Sequence, residues 1–81
     1  MHLHIITPDK SVFEGNAELV QLPGTDGLFE LLNNHAPIIA TLKKGTIRVK
    51  PEKEAEKSFQ ITGGVLEAQQ NKVVVLVESV L

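Results

Sequence analysis

Apolar and polar residues alternate with a period of two along most of the 81-residue chain, the spacing of strands that turn one face inward. His2 to Ile6 sets Leu3 and Ile5 against His2 and His4, so both imidazoles share one strand face. Thr7 to Lys10 supplies a turn, Ser11 to Glu14 a short strand, and Gly15 with Asn16 a break. Residues 17–22 can be drawn as a third strand, but either parity could face inward. After residue 37, Ile38 to Leu42 forms a mostly apolar, partly β-branched run, and Lys43, Lys44 and Gly45 turn the chain into the clear alternation of Thr46 to Lys50. The charged run Pro51 to Lys57 reads as a solvated hairpin loop. Phe59 and Ile61 lie within the next strand. Val65 to Gln69 and Lys72 to Glu78 are the last two, joined by a turn at Gln70 and Asn71. Gly63 and Gly64 predict a bulge, a sharp bend, or the close approach of another backbone. About nine short strands with turn signals between them and no 3.6-residue periodicity point to an all-β, antiparallel sandwich or barrel.

The most specified stretch is Leu22 to Pro37. Pro23–Gly24 and Asp26–Gly27 read as paired turn devices, Leu28 to Leu32 as a short strand, and Asn33–Asn34 as the lead into His35-Ala36-Pro37. Such a segment is either a connection between sheets or a surface presented to something else.

The last strand carries a functional hint. Val73 to Val77 is apolar on both faces, whereas one face of an antiparallel sandwich strand usually meets water. Ile38 to Ala40 and Phe29, Leu31 and Leu32 show the same excess. Either a loop folds over this surface within the chain or a protein partner covers it, and the chain has little spare loop. On the second reading, whichever of Val74 and Leu76 faces outward is a contact residue.

Composition narrows the function further. The length suits one domain with one small core, in which roughly 60–65% of the unfolded surface becomes buried. Eight basic and ten acidic residues give a net charge of −2, the basic residues are scattered, and the only aromatic residues are Phe13, Phe29 and Phe59. Neither a basic patch nor a stacking platform for nucleic acid is present. Without Cys there is no disulfide, thiolate metal site or Cys nucleophile. No apolar run approaches the ~18 residues of a membrane span, and no signal sequence is evident, so membrane contact is expected only through another protein.

Candidate chemistry is sparse. His2, His4 and His35 could in principle converge on a metal, but their spacing to acids is uninformative. A frayed terminus at His2 makes exposed strand histidines the simpler reading. His35 is suited to bonding a neighbouring carbonyl at the start of the Ala36–Pro37 segment. Ser11, Ser58 and Ser79 stand in no nucleophile context, and Gly24 to Gly27 lacks a phosphate-loop ending and precedes a strand. Asp26 and Glu30 are the only acids between Leu22 and Pro37, and a Gly-flanked Asp suits a turn. No catalytic site, cofactor or metal is assigned.

Five segments in order resemble the epsilon subunit of F-type ATP synthases: Leu22 to Gly27 (Leu-Pro-Gly-Thr-Asp-Gly), Asn34 to Pro37 (Asn-His-Ala-Pro), Leu42 to Val49, Thr62 to Glu67 (Thr-Gly-Gly-Val-Leu-Glu), and Asn71 to Glu78. The resemblance implies an N-terminal β-sandwich of about ten strands and a non-catalytic rotor component of the central stalk. Such a subunit binds the gamma subunit and the membrane proteolipid ring and couples proton-driven rotation to ATP synthesis. It would sit at the cytoplasmic face of the bacterial cell membrane. His35 and the turn at Asp26 carry over as candidate interface positions. Leu28 stands where many relatives have Glu, Glu30 where Gly is common, and Asn33 where Pro is common. Glu30 is expected to replace the missing acid from the same strand face. The family usually adds a two-helix C-terminal domain, which inhibits hydrolysis or binds ATP. The chain ends at Leu81, so a single sandwich domain without that regulatory arm is expected. The alternatives are a small metal-dependent barrel enzyme using the three histidines and an unrelated sandwich binding module.

Overall fold

A computed structural model describes residues 1–81. The chain forms eight strands and no helix: β1 (His2–Ile6), β2 (Ser11–Gly24), β3 (Gly27–Leu32), β4 (Ile38–Leu42), β5 (Gly45–Pro51), β6 (Lys57–Ile61), β7 (Gly64–Gln69) and β8 (Lys72–Val77). They build a sandwich in which β2 belongs to both layers. The N-terminal half of β2 pairs with β1 in a layer ordered β2-β1-β8-β7-β4. Its C-terminal half pairs with β3 on one side and β5 on the other, and β6 follows β5. A single bridge between Gly24 and Leu42 joins β2 back to β4.

The strand count is lower than the nine to ten expected because residues 11–14 and 17–22 are one strand. Gly15 and Asn16 do not break it: they lie opposite Leu3 and His2 of β1, and that partner supplies the ladder. The ambiguous parity of residues 17–22 has a physical cause. The register of β2 against β5 shifts between Ala17 and Leu19, so Ala17 and Val20 are both buried although they differ in parity. An extra residue of this kind bends a strand, and here it lets β2 leave one sheet for the other. Pro23 and Gly24 are also strand, paired with Leu28 and Gly27, and only Thr25 and Asp26 form the turn.

Pairing is not wholly antiparallel: β1 lies parallel to β8, from His2 opposite Lys72 to Ile6 opposite Leu76. Strand β1 is therefore interior, between β8 and β2, and the expected fraying at His2 does not occur. Met1 is buried, and its amino group donates to the Ala17 carbonyl at 3.1 Å and to Asn33 Oδ1.

The core between the layers is apolar, with Leu3, Ile5, Val20, Leu22, Ile47, Val49, Ile61, Leu66, Val73 and Val75 fully enclosed and no buried polar residue. Of the three roles open to the Gly63–Gly64 pair, Gly64 takes the third, because a Cβ there would run into the Leu76 carbonyl oxygen. Gly24 is similar: a Cβ would stand 2.8 Å from the Phe29 ring, which packs over it. Gln70 and Asn71 both have positive φ (51° and 60°), as a type I′ hairpin turn between β7 and β8 requires.

Candidate functional site

The two outer sheet faces differ in chemistry. On the layer containing β3, β5 and β6, register places Glu30, Gln21, Arg48 and Ser58 in one row. Gln21 Nε2 donates to Glu30 Oε2 at 3.1 Å, and Arg48 Nη1 donates to Gln21 Oε1 at 3.3 Å. Arg48 also donates to both carboxylate oxygens of Glu56, at 3.0 and 3.1 Å. That fork holds the Glu56 carboxyl below its usual range and raises the guanidinium further. Charges on this face are matched within the chain.

The outer face of β4, β7, β8 and β1 is not. Strict alternation buries Val73, Val75 and Val77 and turns Lys72, Val74 and Leu76 outward. Both candidates from the last strand therefore face solvent, Leu76 at 50% exposure. Register sets Leu76 beside Val65 and Ile6, and Val74 beside Glu67 and His4, while Ile39 of β4, 73% exposed, flanks Glu67 from the other side. No loop lies across this surface. A hollow of ≈ 530 Å³ opens at its end between Ile6, Pro8, Leu42, Val65 and Leu76. Of the two explanations for the apolar excess, cover from within the chain fails.

The remaining candidates lie between Leu22 and Pro37, at two separate places. Asp26 is exposed at the tip of the β2–β3 turn. This tip is tied to β4 by Thr25 N–H to the Thr41 carbonyl (3.0 Å), by the Thr25–Thr41 hydroxyl contact (2.8 Å), and by Lys43 N–H to the Pro23 carbonyl (2.9 Å). A groove of ≈ 450 Å³ runs beside it between Gly24, Asp26, Phe29, Ile39 and Thr41. Leu28, 64% exposed, and Glu30 share the outward face of β3, which pairs only with β2 and is an edge strand.

His35 stands at the far end of β3 from Asp26, roughly 20 Å of extended chain away. Its ring bonds the Ala36 carbonyl through Nδ1 at 2.7 Å, the local role its sequence position suggested. Nε2 is buried without a partner. The loop is fixed from outside: Asn34, at φ 63°, donates its N–H to Asn71 Oδ1 at 2.7 Å, and Asn33 receives the Met1 amino group.

The three histidines do not meet at one point: His2 and His4 both approach Glu14, while His35 bonds the Ala36 carbonyl. His2 Nε2 lies 3.1 Å from Glu14 Oε2, and His4 Nε2 lies 3.1 Å from Ser11 Oγ and 3.9 Å from Glu14 Oε1. No group of three or more His, Asp or Glu side chains is placed to hold a metal ion. Sequence reasoning did not single out Glu67. Its signal was the alternation of Val65, Glu67 and Gln69, which put one acid on the face that Val74 and Ile39 share.

A small β-sandwich that leaves Ile39, Val65, Val74 and Leu76 exposed on one outer face has the form of an assembly module. The family model for the ATP synthase delta/epsilon chain β-sandwich domain matches residues 1–81, and the chain belongs to that family. It is 45% identical over 78 residues to the ATP synthase epsilon chain of Chlorobium limicola, covering 96% of this chain and 89% of that one. It is 40% identical over 79 residues to ATP synthase epsilon chain 1 of Methylococcus capsulatus, covering 98% of this chain but 56% of that one. The fold is shared with a chain of the Tetrahymena thermophila mitochondrial ATP synthase central stalk and c-ring structure (TM-score 0.84, 18% identity, 100% of this chain and 65% of that one). It is shared as well with a chain of the Euglena gracilis mitochondrial ATP synthase structure (TM-score 0.85, 17% identity, 98% and 51%).

Proposed function

We propose that this sandwich is a non-catalytic rotor element of a proton-translocating ATP synthase, attached to the gamma subunit and to the proteolipid ring. The observation that carries the reading is the uncovered apolar strip that Val65, Val74 and Leu76 form on the outer face of β7 and β8. Exposed apolar area of this kind is stable in water only at a cost that a partner removes, at roughly 25 cal/mol per Å² covered. The gamma subunit is assigned to this face. The β2–β3 edge, with Asp26, Leu28 and Glu30, is assigned to the polar loops of the ring, where hydrogen bonds and charge serve better than apolar contact.

The sandwich acts as a coupling piece. Its closed, wholly apolar core resists shear between the two attachments, so torque on one edge is passed to the other face. It would sit at the cytoplasmic surface of the bacterial cell membrane and reach the membrane only through its partners. Mixing the chain with recombinant gamma subunit and separating by size exclusion tests the reading. A co-eluting complex at micromolar concentrations is expected, and separate elution of two folded proteins contradicts it.

A further inference from the structure

Beside the exposed Ile39, Val65 and Val74 stands a carboxylate that forms no ion pair within the chain. Glu67 lies between Ile39 and Val74 on the neighbouring strands, with Val65 and Gln69 as its same-face neighbours along β7. It takes part in none of the chain's ion pairs or side-chain hydrogen bonds. Two other ionisable groups, His4 and Lys72, stand near it on the same face. His4, beyond Val74, contacts Ser11 and Glu14. Lys72, diagonal to Glu67 on β8, forms no ion pair with it.

Water satisfies this carboxylate while the face is free, but not once the face is covered. Adjacent strands are about 4.8 Å apart, so a surface that touches Ile39 and Val74 together spans the Glu67 position. Burying an ionised carboxylate without a counter-charge costs more than the surrounding apolar contacts return.

Resting on the assignment of this face to the gamma subunit, we infer that the partner sets one basic side chain against Glu67, among the apolar contacts of Ile39, Val65 and Val74. A guanidinium fits best, because its planar fork pairs both carboxylate oxygens and is more weakly hydrated than an ammonium. Glu67 then fixes the register of docking. The apolar contacts of Val65, Val74 and Leu76 tolerate sliding, whereas a buried ion pair does not.

Calorimetric titration of the gamma subunit with the wild-type chain, Glu67→Gln and Glu67→Leu tests this, with thermal unfolding of each chain as the control for folding. Because Glu67 is exposed in the free chain, the variants are expected to fold as the wild type does. Both should bind about thirtyfold more weakly or worse, since each leaves the partner's cation buried and unpaired. The leucine variant separates the explanations by sign. Without an opposing cation, replacing a carboxylate by Leu in an apolar face tightens binding. Wild-type binding combined with an unchanged or tighter Glu67→Leu complex overturns the inference and leaves the proposed function standing. A folded wild-type chain that does not bind overturns both.

Discussion

Gln21 bridges Glu30 and Arg48: its amide nitrogen donates to Glu30 at 3.1 Å while its oxygen accepts from Arg48 at 3.3 Å. Glu30 is thereby held on the outward face of an edge strand, beside Leu28, with its other carboxylate oxygen free. This is the geometry required if Glu30 supplies the acid absent at Leu28. The pairing is exposed, so Glu30→Ala should change folding stability by no more than about 0.5 kcal/mol. Its retention on purified proteolipid rings should fall. Equal retention of variant and wild type would remove Glu30 from the interface.

The Arg48–Glu56 fork predicts a pH dependence. Folding depresses the Glu56 pKa, chiefly through its hydrogen bonds from Arg48, relative to an ordinary value of 4.5. The folded state holds that proton less tightly than the unfolded state. The associated stability is present above the ordinary value and lost as pH falls through the folded one. Arg48→Gln should therefore flatten the acid limb of the stability–pH curve below about pH 5 and leave its neutral shape unchanged. Urea midpoints measured across that range check this, and parallel acid limbs would contradict it.

Close backbone approach makes Gly64 sensitive. A Cβ there meets the Leu76 carbonyl and, at 3.0 Å, the Val77 Cα, neither of which can rotate away. Gly64→Ala should destabilise the fold by about 1–3 kcal/mol, the cost of overpacking, and splay β7 from β8. Chemical denaturation reads the loss. Gly15→Ala is the contrast, because the nearest atom there is a Phe13 ring carbon at 3.6 Å, an ordinary contact.

At the opposite end of the same hairpin, Gln70 occupies a left-handed conformation that its side chain does not favour. Gln70→Asn should raise stability by about 0.5 kcal/mol, with a matching rise in melting temperature. Asn71 is the poorer target, because its side chain also holds the Asn34 amide.

Local patterning made much of this structure legible. The burial of Leu3, Ile5, Ile47 and Val49, the turn at Gln70–Asn71 and the double-sided character of the last strand were all visible as alternation. What was not visible came from partners distant in sequence. Gly15–Asn16 has the composition of a turn and is a strand because β1 pairs with it. The parallel pairing of β1 with β8 joins residues about seventy apart, which no local signal encodes. Pro23 could be read as a turn because proline lacks a donor. It sits in a strand because its carbonyl, not its nitrogen, is used, accepting from Lys43. The candidate surfaces followed the same division. Val74 and Leu76 were evident from β8 alone, whereas Glu67 acquired its setting only when Ile39 and Val74 were brought to either side of it.

One measurement bears directly on the proposed attachment of the gamma subunit to the outer face of β8. Affinity for gamma, measured by calorimetry for Leu76→Lys and for Ser58→Lys, tests it most directly, since both positions are exposed but lie on opposite layers. Complex formation at micromolar concentrations is expected for the wild type and for Ser58→Lys, and loss of binding for Leu76→Lys with its melting temperature retained. Undiminished binding by a folded Leu76→Lys chain would contradict it.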